Sequence, residues 1–190
     1  LNNRGAIAPG YLADFAIVDN LTDFQVQTVY KKGRLVFDQG QVLPFPEPEI
    51  PDYLEKLATD TFHLPKLTEA DFAVTEAKGL IGMIPGEILT ENKGYAEAVD
   101  PSKDILKMAV IERHKNTGHI GLGFLTGYGL KAGAVATSVA HDSHNIICVG
   151  ANDADMAFAA NRIAESHGGI VVVKDGQVIA ELQLEIAGLM

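Results

Sequence analysis

Two apolar runs confine a polar block between them. Residues 133–139, Gly-Ala-Val-Ala-Thr-Ser-Val, are small or β-branched, and residues 146–150, Ile-Ile-Cys-Val-Gly, are strongly apolar. Both read as buried strands. Between them, after Ala140, lie His141, Asp142, Ser143, His144 and Asn145. A buried donor or acceptor left without a partner costs about 1–3 kcal/mol. The block must therefore be a loop or strand end whose polar groups find partners or face a cleft.

The rest of the chain falls into short elements separated by turn residues. Residues 15–18, 26–30 and 35–37 read as three short strands, the last two joined at Lys32-Gly33. Residues 44–51 then carry four prolines in eight positions, which favours an extended, semi-rigid connector. Beyond it, residues 53–58 suit a short helix, and 72–77, 80–84 and 87–89 read as strands around glycines. Residues 105–113 form a further strand, more apolar than alternating and so central in its sheet. Residues 118–129 hold five glycines, a density that suggests turns, bulges or close backbone approach rather than a plain strand.

The clearest helix runs from Asp153 or Asp155 to His167, with Met156, Ala159, Ala160 and Ile163 on one stripe. Asn152 and Asp153 suit its cap, Asp155 suits the positive end of its dipole, and Gly168-Gly169 supplies the stop. Residues 170–173 and 177–182 pair across Asp175-Gly176, a favoured hairpin turn. The expected fold is α+β: a mostly antiparallel β-sheet domain with few helices over 53–190, a proline-rich connector over 44–52, and a small all-β segment over 1–43.

Charge and cysteine usage narrow the partners. Fifteen basic against 25 acidic residues leave a net charge of −10, which opposes binding to a phosphate backbone, so nucleic acid is not expected. The lone Cys148 has no internal disulfide partner and points to a reducing compartment. No apolar stretch approaches the roughly 20 residues needed to span a bilayer, and no signal peptide opens the chain. The cytoplasm is the expected location, with no membrane partner.

Each chemical candidate has a structural alternative. His141 and His144 share a face on a bent loop but point oppositely in a straight strand. With Asp142 they give three donors, one short of a closed four-coordinate shell, so no metal centre is expected in the chain itself. Asp142 and Asn145 can instead cap local backbone groups, and Asp142 can orient an imidazole. Arg113 and His114 close an apolar strand, where a surface ion pair with Glu112 or another carboxylate competes with delivery of polar groups to a cleft. If the two strands lie side by side, these residues converge on 141–145. His119 suits either a site or plain surface, His63 suits packing or surface, and His167 suits a helix C-terminus. Ser143 beside its neighbours makes no catalytic triad, because such triads draw on separated segments and no Gly-x-Ser-x-Gly elbow is present. The glycine run matches neither phosphate-binding pattern, since Gly121-x-Gly123 is followed by Thr126.

A wider pattern joins these pieces. It comprises Ile111-Glu112-Arg113-His114, then Gly118-His119-Ile120-Gly121-Leu122-Gly123-Phe124 with Gly127-Tyr128-Gly129-Leu130. It continues through His141-Asp142-Ser143-His144-Asn145 and Asn152-Asp153-Ala154-Asp155-Met156 to the closing Leu184-Glu185-Ile186-Ala187-Gly188-Leu189-Met190. This pattern resembles the C-terminal portion of the bacterial adenine deaminases, members of the amidohydrolase superfamily. Residues 4–19, from Arg4 to Asp19, resemble the segment by which such chains leave their barrel and rejoin a small β domain. Leu1 in place of Met fits a chain that begins mid-protein.

The resemblance implies a parent that hydrolyses adenine to hypoxanthine and ammonia with a divalent metal, manganese, iron or zinc, held in a (β/α)₈ barrel. The barrel's His-x-His is absent here. A complete barrel needs about 250 residues, against 190 in this chain. The expectation is thus a chain without catalytic residues or metal of its own. In the parent, Arg113, His114, His119 and 141–145 would face, shape or cover the barrel's adenine site. The alternatives are an interaction module that docks on its own missing barrel domain or forms a homodimer, and a domain that senses adenine by itself.

Overall fold

The computed structural model describes residues 2–45 and 49–190. The chain divides into two compact units, Leu1–Ile50 and Pro51–Met190. Pro46, Glu47 and Pro48 of the expected connector lie outside the described residues.

The first unit is an antiparallel sheet in the order β1 (Phe15–Val18), β2 (Val26–Lys31), β3 (Arg34–Asp38) and β4 (Gln41–Val42). Three strands were expected; the fourth is two residues long and follows a Gln39-Gly40 turn, too short to leave a periodic signal. At Lys32-Gly33 both residues have positive φ, 50° and 74°, the backbone twist that closes a tight hairpin. Asp14 secures this turn by accepting the Lys32 N–H at 2.6 Å and Arg4 Nη1 at 2.5 Å. Phe15 stacks on Tyr30 at 4.9 Å.

The second unit opens with α1 (Asp52–Thr59), which buries no residue. A 3₁₀ turn (Glu69–Phe72) follows, then β5 (Lys78–Met83), β6 (Thr90–Ala96), β7 (Leu106–Ile111), β8 (Ile120–Thr126), β9 (Ala134–Thr137), β10 (Ile146–Gly150), α2 (Asp153–Glu165), β11 (Gly169–Lys174) and β12 (Gln177–Gln183). The eight strands form one sheet in the order β12-β11-β9-β10-β7-β8-β5-β6, antiparallel except where β5 meets β8. The α+β expectation holds, and β7 lies inside the sheet between β10 and β8.

Three expectations fail. Residues 72–77 are not a strand: Thr68 and Asp71 form a reciprocal cap that winds 69–72 into the 3₁₀ turn and drops Phe72, fully buried, into the core. Residues 87–89 are loop, and β6 begins at Thr90 as a polar strand at the sheet edge, where burial imposes no apolar pattern. The glycine-rich stretch contains a regular strand, β8. A Cβ on its Gly123 would sit 3.3 Å from the Gly79 carbonyl, so glycine there serves the pairing of β8 with β5.

Helix α2 lies over β9, β10 and β11. Its Met156, Ala159, Ala160 and Ile163 are fully buried with Ala134, Ala136, Cys148, Val171 and Val173. A side chain such as Ile163 contributes about 1.5–3 kcal/mol by leaving water. Asn152 caps the helix by accepting the Asp155 N–H at 2.8 Å. The helix ends at Glu165, and His167 adopts a positive φ of 57° after the Ser166 cap. Asn161 ties in the preceding segment through both the N–H and the carbonyl of Leu67. A smaller cluster of Leu106, Leu125 and Val149 covers the opposite face, as alternation along the strands requires.

Candidate functional site

Antiparallel pairing of β7 with β10 sets Ile111 opposite Ile146. The residues leaving β7 therefore run beside those entering β10, which brings Arg113 and His114 to the 141–145 turn. Of the two readings of Arg113, the surface ion pair is not found among the described residues. Its side chain is buried, 2% exposed, and all four of its hydrogen bonds go to neutral oxygens. Nε donates to the His144 carbonyl at 2.5 Å, Nη1 to the Thr61 carbonyl at 2.8 Å and to Thr61 Oγ1 at 3.0 Å, and Nη2 to the Ala187 carbonyl at 2.9 Å. The guanidinium also stands 4.1 Å over the Phe62 ring. Its planar fork of donors suits this role as an ammonium would not. Burial lowers its pKa, yet an arginine keeps its charge in proteins.

One guanidinium thus joins three segments distant in sequence: 61–63, 141–145 and the C-terminal 184–190. The His63 N–H returns a bond to the Arg113 carbonyl at 2.7 Å, and the Ala187 N–H donates to the Ala58 carbonyl. Buried Ser138 donates to the Gly188 carbonyl at 2.6 Å and accepts from the Gly169 N–H at 2.8 Å. Gly188 has a φ of +72°, and a Cβ there would lie 2.9 Å from the Phe62 ring and 3.2 Å from Arg113 Nη2. Thr61 and Phe62 escaped the sequence reading, and Ser138 entered it only as part of a buried run. Ala187 and Gly188 lie in the closing 184–190 stretch, which the residue pattern marks, but nothing local links it to Arg113.

The 141–145 turn itself is strained and outward-facing. Asp142 and His144 adopt positive φ values of 71° and 50°, a region that costs residues other than glycine about 1–2 kcal/mol each. The His144 N–H closes the turn onto the Ala140 carbonyl at 2.7 Å. The His141 and Asp142 side chains are 95% and 91% exposed, and Nδ1 of His141 lies 2.9 Å from Oδ1 of Asp142. That contact orients the imidazole and leaves Nε2 open to solvent. His144 is half-buried, and its Nδ1 has no hydrogen-bond partner among the described residues. Local capping falls to Ser143, whose Oγ accepts the Asn145 N–H at 3.3 Å, rather than to Asp142 or Asn145 as expected.

His114 is exposed and its Nε2 lies 2.9 Å from the Ser143 carbonyl. The turn beyond it is organised by Glu112, which accepts from the N–H groups of His114, Lys115 and Thr117 and from the Thr117 hydroxyl. Desolvation pushes the Glu112 carboxyl upward, but these donors together outweigh it and hold its pKa near 2. His119 ends that turn with its side chain exposed, and His63 is a surface residue 3.9 Å from Asp60. Cys148 is fully buried, and burial raises its thiol pKa far above the ordinary value. Among the described residues, no three His, Cys, Asp or Glu side chains are grouped so as to hold a metal ion. No helix is long and apolar enough to cross a membrane among the described residues.

The family model for the adenine deaminase C-terminal domain matches residues 86–190. An adenine deaminase of Nitratidesulfovibrio vulgaris is 43% identical over 199 residues, covering 100% of this chain and 34% of the relative. An adenine deaminase of Brucella abortus is 42% identical over 200 residues, covering 100% of this chain and 33% of the relative. An adenine deaminase 1 of Rhizobium etli is also 42% identical, with coverage of 100% and 34%. The chain spans about a third of the length of these curated relatives. The match over 86–190 takes in Arg113, the 141–145 turn and the C-terminal segment together, and the chain belongs to the adenine deaminase C-terminal domain family.

Proposed function

We propose that this chain works as the C-terminal part of an adenine deaminase, a hydrolase converting adenine and water to hypoxanthine and ammonia in purine metabolism of the cytoplasm. The observation that carries this reading is the match of the whole chain to longer proteins of that name. On this reading residues 1–43 complete a small β domain, 44–52 connect, and 53–190 form the family domain. The remaining two thirds of the parent are the partner, and the reacting groups lie there. The donor sets of this chain do not fit the implied divalent metal, manganese, iron or zinc, so no chemical step through it is assigned to these residues.

Within this reading the 141–145 turn contacts or covers the adenine site. Its support is the combination of left-handed Asp142 and His144, the unpartnered His144 Nδ1 and the outward His141–Asp142 contact. Strain and unsatisfied polar groups persist where surrounding structure enforces them, and they concentrate at functional sites. Here Arg113 does the enforcing, with His114 and Asn145 flanking the turn and His119 at the next one. The metal-loaded chain alone should give no adenine turnover above a blank, and turnover would refute the assignment of the reacting groups elsewhere. In the full-length enzyme, His141→Ala with Asp142→Ala should lower kcat/KM for adenine while the melting temperature holds; unchanged kinetics would remove the turn from the active site.

A second reading, docking without substrate contact, is favoured by the outer strand β12. All seven of its residues are exposed, including Val178, Ile179 and Leu182, and an unpaired apolar edge invites pairing with another chain. Sedimentation distinguishes a dimer from a monomer.

A further inference from the structure

A second recess lies away from the 141–145 turn, beside the start of α2. Lys107, on β7, is 6% exposed. Its ammonium donates to the Phe72 carbonyl at 2.7 Å and to the Asp153 carboxylate. An ammonium has three N–H donors, so one remains for the cavity that Lys107 lines. The cavity measures about 460 Å³ and has apolar walls from Val74, Val99, Phe124 and Ala151, with Ala98 also on its lining. That volume lies within the roughly 300–1,000 Å³ of small-molecule sites, which likewise pair apolar walls with a few convergent polar groups. A buried donor without an acceptor is costly.

The polar floor is selective. Asn152 engages Asp155 through both its amide nitrogen and its amide oxygen, 2.8 Å each, and the Lys107–Asp153 pair sets a donor and an acceptor side by side. Asp153 keeps one carboxylate oxygen beyond the one facing Lys107, and its side chain is 31% exposed. The pair is neutral in sum, and Glu97 adds a negative charge to the lining, so an anion is disfavoured. The complement is a neutral, flat molecule with a hydrogen-bond acceptor next to an N–H donor, seated between Val74, Val99 and Phe124.

We propose that this recess binds a small neutral heterocycle of the amide or amidine type through Lys107 and Asp153. Adenine, with a ring nitrogen acceptor beside its amino group, and hypoxanthine, with a carbonyl beside a ring N–H, both carry the required edge. The choice of purines as probes rests on the deaminase reading; the recess and its donor–acceptor pair do not.

The test is a titration of the isotope-labelled chain with adenine, hypoxanthine, acetate and inorganic phosphate, followed by amide NMR. Adenine and hypoxanthine should shift the amides of Val74, Val99, Phe124 and Ala151, whereas acetate and phosphate should leave them in place. Lys107→Met should weaken binding about tenfold or more, the value of one lost hydrogen bond. Ala98→Trp, which fills the recess from an exposed position without touching the ion pair, should abolish it. Absence of shifts at saturating purine, shifts elsewhere, binding that survives Ala98→Trp, or equal response to acetate and phosphate would each overturn the proposal. Loss of binding here leaves the full-length turnover experiment untouched, so the two readings fail separately.

Discussion

Replacing Arg113 by Met keeps the length and apolar body of the side chain and deletes the fork. The carbonyls of Thr61, His144 and Ala187, bonded at 2.8, 2.5 and 2.9 Å, then lose their donor. At about 1–3 kcal/mol for each buried polar group left unpaired, the gross loss is about 3–9 kcal/mol. Contact with Phe62 adds about 0.5–2 kcal/mol. Against this stands the relief of no longer burying a charge that has no counter-ion among the described residues, a cost of several kcal/mol. We expect a net loss of about 3–5 kcal/mol, a large share of the roughly 5–15 kcal/mol that holds a domain together. Urea unfolding reads it directly, and melting should fall by roughly 10–15 °C, at about 3 °C for each kcal/mol in a domain of this size. Hydrogen exchange should accelerate at His144, Asn145, Ala187 and Leu189 before the rest of the sheet. Arg113→Lys should recover less than half of the loss, since one ammonium cannot reach three diverging carbonyls. A Met variant within about 0.5 kcal/mol of the native chain, the spread of ordinary surface changes, would refute the assignment of Arg113 as the joint of three segments.

Gly169 has a φ of +135°, and a Cβ there would sit 1.9 Å from the Leu182 carbonyl; Gly169→Ala should cost about 2–6 kcal/mol from strain and overpacking combined. In the same urea unfolding assay Gly176→Ala, with nothing within 4 Å, should cost only about 1–2 kcal/mol. Buried Asp155 accepts from Asn152 Nδ2 and from the Asp175 and Gly176 N–H groups; desolvation raises its pKa, but these donors together lower it below 3.8. A depressed folded pKa means stability that is present above the unfolded value and lost as pH falls below it. Melting of the native chain should therefore decline below about pH 4, and Asp155→Asn should flatten that component; an identical pH profile in the variant would refute the role.

The elements legible in the residues are those whose signals are local. Lys32-Gly33 and Asp175-Gly176 carry the turn chemistry that left-handed positions require, and the structure places hairpins at both. Asn152 three residues before Asp155, followed by the Met156, Ala159, Ala160 and Ile163 stripe, defines α2 because capping and helical periodicity act within a few turns. The elements missed depend on neighbours. Strand β8 carries Gly123 where β5 approaches closely, and polar β6 is a strand only because it pairs with β5 at an edge.

The candidate site divides along the same line. Local composition marked 141–145 as polar between buried runs, and the end of β7 as its partner. That Arg113 turns inward, that it binds Thr61 and Ala187, and that Gly188 must lack a side chain follow from contacts spanning 52 and 74 positions along the chain. Turn and helix preferences are properties of adjacent residues and survive in the unfolded chain. The destination of a buried guanidinium is settled only when folding removes water and leaves those carbonyls as its available acceptors.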